Sequence, residues 1–271
     1  MKKFNNQSHK AKKHFGQNFL VDDYYVSTII NSLNISKDDY VLEIGPGLGA
    51  LTKHIIANAG CFTAVEIDND LIEHLKNTFP NINLINLDIL KFDFEKFFHE
   101  LNANSLHPKK IKVIGNLPYN ISTELLFRFF DNIDYIDEMH IMLQQEVVDR
   151  IIAEPNNKTY GKLSVMSQYF CDVEEIVTLP PEAFNPPPKV YSKFIKLKAY
   201  SKDHNKDKVK LLNKITTAAF HMRRKVINNN LKKLLSLEEF EKLGINPKLR
   251  AENLTLTDFL KITDYIWQRM Q

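Results

Sequence analysis

Residues 40–44, Tyr-Val-Leu-Glu-Ile, run straight into Gly45-Pro46-Gly47-Leu48-Gly49-Ala50-Leu51-Thr52. A short apolar run that ends in spaced glycines and then helix formers is a strand, a tight turn and a helix. That unit commits the chain to a Rossmann-like sheet of parallel strands joined by helices. The glycines allow positive φ and let a ligand approach the backbone. The helix start beyond them offers unpaired N–H groups to polar or anionic ligand atoms.

The strands that follow fit the same plan. Residues 62–68 read as a second strand ending in Glu66 and Asp68, and 83–87 as a third followed by Asp88. An apolar run from Ile111 to Ile114 opens a fourth, which stops at Gly115-Asn116-Leu117-Pro118-Tyr119-Asn120. In doubly wound sheets ligands bind outside the carboxyl ends of the strands, so Gly45, Glu66, Asp88 and Asn116 are expected to face one crevice. Glu66 is the candidate for a ribose diol, and Asp68 is expected to cap the helix that begins at Asn69. Gly45, Gly47 and Ala50, with Glu66 about twenty residues on, also satisfy a dinucleotide fingerprint. A nicotinamide-dependent enzyme therefore competes at this stage, although no His, Tyr-Lys or Ser constellation accompanies the glycines.

The Asn-Leu-Pro-Tyr stretch presents one amide oxygen, one carbonyl kept from helical geometry by the next Pro, and one aromatic face. These groups suit a flat base bearing an amino group. Ser122 is expected to cap a helix over 124–130, with a further strand at 139–143 and a helix at 145–153. Two more strands follow at 175–179 and 193–198. Between them lies the stiff segment Pro180-Pro181-Glu182-Ala183-Phe184-Asn185-Pro186-Pro187-Pro188-Lys189. Beyond residue 203 the periodicity is helical throughout, over 206–220, 226–234, 237–243 and 257–268.

Length and composition fit one α/β domain with a smaller appendage. The chain has 271 residues, 44% of them hydrophobic and 25% charged, and no apolar run approaches the roughly 20 residues of a membrane span. Cys61 and Cys171 are the two cysteines, with no CxxC, which suggests neither a disulfide framework nor a zinc site. No secretory signal is legible at the start, and a cytoplasmic location is expected. The net charge of +3 conceals basic ends, including Lys12 and Lys13 before the first acid and the cluster Arg223-Arg224-Lys225. Such clusters suit a polyanion.

Taken together, several stretches closely resemble the bacterial small-subunit ribosomal RNA adenine dimethyltransferases, the kasugamycin-sensitivity enzymes. They are Phe15-Gly16-Gln17-Asn18-Phe19-Leu20, Leu42 to Gly49, Gly115 to Ser122, Phe184-Asn185-Pro186-Pro187-Pro188-Lys189-Val190, and Arg223-Arg224-Lys225 with Asn229-Asn230-Leu231. The likeness spans nearly the whole chain. Glu124 departs from it, standing where family members often carry Pro.

The resemblance implies an α/β fold: a Rossmann-like class I methyltransferase domain with a seven-stranded sheet, followed by a small all-helical domain. The expected boundaries are a basic arm at 1–21, the methyltransferase domain at 22–200 and the helical domain at 201–271. It further implies S-adenosylmethionine as methyl donor, no metal, and two adjacent adenines near the 3′ end of 16S rRNA as acceptors, in an assembling 30S particle met by a monomer. Asn18, Leu20, Gly45, Glu66, Asp88 and Asn116 would then line the donor site. Asn116, Leu117, Pro118 and Tyr119 would hold the target adenine, with Phe184 stacking on its other face. Lys12, Lys13, Lys189, Arg223, Arg224 and Lys225 would contact rRNA phosphates. Two alternatives remain at this level: a large-subunit rRNA adenine methyltransferase of the macrolide-resistance type, and an assembly factor acting mainly by binding.

Overall fold

In the computed structural model of the chain, residues 10–201 and 204–271 are described. The apolar runs form seven strands: β1 (Tyr40–Ile44), β2 (Cys61–Glu66), β3 (Leu84–Asn86), β4 (Ile111–Asn116), β5 (Ile136–Gln144), β6 (Cys171–Leu179) and β7 (Ser192–Ala199). They make one seven-stranded sheet in the order β3-β2-β1-β4-β5-β7-β6. The first five run parallel, and β7 lies antiparallel to β5. The order reverses between β1 and β4, so their carboxyl ends flank a topological switch point, where a crevice opens. The expected α/β class and strand number are those observed.

Helices cross between the strands: α1 (Asp23–Ser32), α2 (Thr52–Asn58), α3 (Asn69–Thr78), α4 (Phe94–Leu101) and α5 (Ser122–Asp131). Asp22 caps α1, accepting the Tyr24 and Tyr25 N–H groups at 2.9 and 3.4 Å. Ser122 is not the cap expected of it. It lies inside α5, and its hydroxyl donates back to the Tyr119 carbonyl at 3.1 Å, which ties the helix to the Asn-Leu-Pro-Tyr turn. Gly115 is required by packing: a Cβ there would sit 2.7 Å from the Ile44 carbonyl oxygen, so any side chain would force β4 away from β1.

The sheet also holds a charged cluster. Glu138 of β5 is buried, with Oε1 3.0 Å from the Lys112 ammonium and 3.1 Å from His140 Nε2, and Oε2 within 3.6 Å of Lys196 and Lys198. Burial opposes ionisation of Glu138, but its bonds to His140 and Lys112 prevail and hold the carboxyl well below the ordinary range.

The chain divides into two compact units, one of residues 1–145 and 173–199, the other of 146–172 and 200–271. The second is helical: α6 (Gln145–Ile151) begins at the junction, followed by α7 (Lys162–Phe170), α8 (Lys206–His221), α9 (Ile227–Leu231), α10 (Leu237–Lys242) and α11 (Leu256–Met270). One parting, at 199/200, lies a residue from the boundary expected at 200/201, while residues 146–172, expected in the first domain, fall in the second unit. The apolar segment after Gly161 folds as α7, whose buried Leu163, Val165 and Met166 belong with α8 and α11. Capping boxes at Ser236 with Glu239 and at Thr255 with Asp258 start α10 and α11. Among the described residues, no helix is long and apolar enough to cross a membrane.

Candidate active site

A cavity of about 260 Å³ opens at the carboxyl ends of β1, β2, β3 and β4. Its wall includes Asn18, Leu20, Gly45, Glu66, Asp88 and Asn116, the six positions expected to hold the donor, and Leu117, Pro118 and Tyr119 of the acceptor turn. Gly45 has φ +60°, and a Cβ built on it would meet nothing within 4 Å. Its backbone therefore floors an open cradle that a side chain would fill, the shape required for a nucleoside-bearing ligand to lie against the chain.

Glu66 ends β2 and is 5% exposed. One oxygen accepts the Ile67 and Asp68 N–H groups at 2.9 and 3.0 Å, the other the Gly47 N–H at 3.3 Å. Burial pushes its pKa above the ordinary carboxylate value, with the three N–H groups pulling against that rise. Behind it, the fully buried Glu43 accepts the Thr52 hydroxyl at 2.7 Å, and burial carries its carboxyl to about 8. Asp88 uses one oxygen to accept the Leu90 N–H at 3.0 Å, which leaves the other for a ligand donor.

The fourth wall is the arm. His14 to Leu20 line the cavity, and the arm is latched to the start of α3. Lys12 Nζ reaches Asp68 at 2.5 Å and Asp70 at 2.7 Å, and Gln17 Nε2 donates to Asp68 at 2.8 Å. Asp68 also caps α3 through the Asp70 N–H at 3.1 Å, as expected, but its larger role is to anchor the arm. Burial pushes the Asp68 carboxyl up, yet these donors hold it below the ordinary range. Asp68→Asn keeps a cap oxygen and removes the charge. It is expected to weaken donor binding about tenfold, the worth of one charge-assisted hydrogen bond, and to speed protease cleavage within 10–20. Calorimetric titration and limited proteolysis check both.

At the turn after β4, Asn116 Nδ2 donates to the Asn18 carbonyl at 2.8 Å, which leaves Oδ1 as the acceptor of that amide. The Leu117 N–H donates to the Met142 carbonyl at 3.2 Å. Tyr119 is half-buried, and its hydroxyl lies 2.7 Å from the hydroxyl of the fully buried Ser192. Burial raises the Tyr119 pKa, partly offset by that bond.

Three expected residues stand elsewhere. Phe184 does not line the cavity. It is 3% exposed, pairs with Leu20 in a two-residue ribbon and packs in the core with Val26, Leu179 and Phe194. Lys12 is committed to Asp68 and Asp70, as above. Arg223 is committed as well: its guanidinium donates to the Tyr160 carbonyl at 3.0 Å and to that of Lys158, and lies 3.7 Å from Glu252. Lys189, Arg224 and Lys225 are exposed, while the Lys13 side chain lies outside the described residues. Sequence reasoning missed Ser192 and the pairing of Gln17 with Asp68. Gln17 lies inside a recognised motif, but nothing in a linear sequence marks a partner 51 positions away.

The description "ribosomal RNA adenine dimethylase" matches residues 8–268. The chain is 43% identical over 262 residues to a ribosomal RNA small subunit methyltransferase A of Haemophilus ducreyi, covering 95% of this chain and 90% of the relative. It is 44% identical to the protein of the same description from a Shewanella species, over 95% of both. Among solved structures, a dimethyladenosine transferase from Plasmodium falciparum shares the fold with a TM-score of 0.78 at 23% identity, over 93% of this chain and 98% of that one. A 23S rRNA methyltransferase, ErmE, shares it with a TM-score of 0.68 at 21% identity, over 93% and 100%. With the match running nearly end to end, the chain belongs to the ribosomal RNA adenine dimethylase family.

Proposed function

We propose that this protein transfers methyl groups from S-adenosylmethionine to N6 of adenines in small-subunit rRNA, two per base. The observation that carries the reading is that one cavity is lined both by the strand-end residues suited to a nucleoside donor and by Asn116-Leu117-Pro118-Tyr119. Relatives 43–44% identical over 95% of the chain are described as small-subunit enzymes, which favours that rRNA over the large-subunit one.

S-adenosylmethionine, when bound, supplies an electrophilic methyl on a sulfonium. Glu66 would accept its ribose hydroxyls, Asp88 its adenine amino group, and the Gly45 backbone would lie against it, with Asn18 and Leu20 closing the site from the arm. The acceptor nitrogen is a poor nucleophile because its lone pair is delocalised into the purine. Asn116 Oδ1 and the Leu117 carbonyl, each accepting one amino hydrogen, would favour a more tetrahedral nitrogen whose lone pair points at the donor methyl. Pre-set acceptors of this kind contribute through orientation and electrostatics. The methylated nitrogen loses its proton readily, so neutral Asn116 suffices where a strong base is absent. Tyr119 would stack on the extruded base, an interaction of about 1–3 kcal/mol that offsets part of the unstacking. We assign Phe184 the support of Leu20 and leave the stacking to Tyr119. The exposed Lys189, Arg224 and Lys225 would contact phosphates of the assembling particle, approached by a monomer.

Labelled S-adenosylmethionine supplied with unmethylated small-subunit particles, large-subunit particles and naked rRNA tests the reading. N6,N6-dimethyladenosine is expected in small-subunit rRNA alone, and label in large-subunit rRNA would overturn it. Glu66→Gln should weaken donor binding by about 10- to 100-fold, since hydrogen bonds to a charged group are each worth about 1.5–3 kcal/mol. Titration calorimetry on the folded variant reads this directly.

A further inference from the structure

Ser192 is fully buried although it carries a hydroxyl. It opens β7, in register with Gln144 at the end of β5, where Met142, Leu143 and Phe194 are fully buried as well. Packing alone asks for an apolar side chain in such a place, because a buried hydroxyl costs free energy unless it is paired. Its partner is the hydroxyl of Tyr119 at 2.7 Å, and among the described residues no second side-chain partner of Ser192 is found.

That bond runs across the sheet. Tyr119 follows β4, and β5 lies between β4 and β7. Adjacent strands stand about 4.8 Å apart, so the ring reaches over the end of β5 to a strand about 10 Å from β4. Both ends of the span are tied to β5 by backbone bonds. On one side the Leu117 N–H donates to the Met142 carbonyl at 3.2 Å, and on the other the Gln145 N–H donates to the Tyr191 carbonyl at 3.0 Å. A tyrosine on a turn can swing about two side-chain bonds. Holding its hydroxyl as well as its backbone removes both swings and fixes the plane of the ring. Tyr119 lines the methyl-transfer cavity and Ser192 does not, so Ser192 can act there only through the ring.

We propose that Ser192 is a positioning residue for methyl transfer, its hydroxyl setting the plane of the Tyr119 ring on which the target adenine stacks. The inference rests on the role proposed above for Tyr119. A ring free to swing would leave fewer of the bound adenines aligned with the donor methyl, while contacts elsewhere still hold the RNA. The loss therefore falls on kcat.

The test measures methyl transfer to unmethylated small-subunit particles by the full chain at saturating S-adenosylmethionine. Ser192→Ala and Tyr119→Phe are each expected to lower kcat by about 3- to 10-fold, the worth of one neutral hydrogen bond, with the particle KM and the donor Kd within about twofold of wild type. The double variant should fall no further than either single one, because both changes remove the same bond. An unchanged kcat in either single variant, or losses that multiply in the double one, would overturn the proposal. Urea unfolding gives the folded fraction of each variant, and a fall in kcat no larger than that fraction explains would overturn it too. Tyr119→Ala separates this inference from the reading beneath it. A near-normal rate in that variant removes the stacking on Tyr119 and the role of Ser192 together. A collapsed rate there, beside unchanged rates in Ser192→Ala and Tyr119→Phe, overturns the positioning role alone.

Discussion

Replacing Asn116 by Ala is expected to reduce methyl transfer to rRNA at saturating donor by about 10²- to 10³-fold, the range seen when one pre-set polar contact to a transition state is removed. Donor binding should weaken far less, because Glu66, Asp88 and the Gly45 backbone are untouched. The fold should hold, since Asn116 is half-buried at a strand end and its one structural bond goes to the Asn18 carbonyl. Asn116→Asp gives the sharper result. It keeps an oxygen for the amino group but cannot donate to Asn18, and its charge faces a carbonyl. A rate between wild type and Asn116→Ala is expected, with a larger loss of donor affinity than Ala produces. Single-turnover transfer and equilibrium donor titration separate the two effects, and near-normal transfer by Asn116→Ala would sink the assignment.

The largest effect on stability is expected from Glu138→Gln, about 1–3 kcal/mol at pH 7, because it removes the buried charged acceptor shared by Lys112 and His140, while Lys112 keeps Asp39 at 3.2 Å and Lys198 keeps Asp137 at 2.7 Å. The pH dependence follows from the depressed pKa. An acid whose pKa is lower folded than unfolded contributes stability that is complete above its unfolded value, ordinarily 4.5, and that disappears as pH falls toward the folded value. Wild type should therefore lose stability steadily below about pH 4.5, whereas Glu138→Gln should lack that part of the decline. Urea unfolding at pH 7 and at several acid values measures both effects. Parallel acid profiles in the two proteins would show that the cluster adds nothing to folding.

Much of the candidate site was legible because Gly45, Glu66, Asp88 and Asn116 stand at or just beyond the ends of successive strands. Strand ends are marked in the sequence by a change from apolar runs to Gly, Glu, Asp or Asn, and parallel pairing brings the ends to one edge. Less could be read where a contact joins segments with no shared period. The Asp68 latch, the Ser192 hydroxyl behind Tyr119 and the burial of Phe184 in a ribbon with Leu20 all depend on which loops meet. The basic cluster held a contact hidden for a related reason. Composition counts Arg223 with Arg224 and Lys225, but only the folded chain shows its guanidinium closing the turn at Lys158 and Tyr160. Ser122 was read as a cap because hydroxyls favour that position, whereas here it donates to a carbonyl one turn back.

The bond from Asn116 Nδ2 to the Asn18 carbonyl has a consequence for fidelity. A primary amide is nearly symmetric in shape, and a half-turn would exchange its oxygen for an NH₂ that repels another amino group. Because the carbonyl that forbids this half-turn belongs to the arm, the arm works as a jig: with Asn18 lying against it, the amide can be set only one way round.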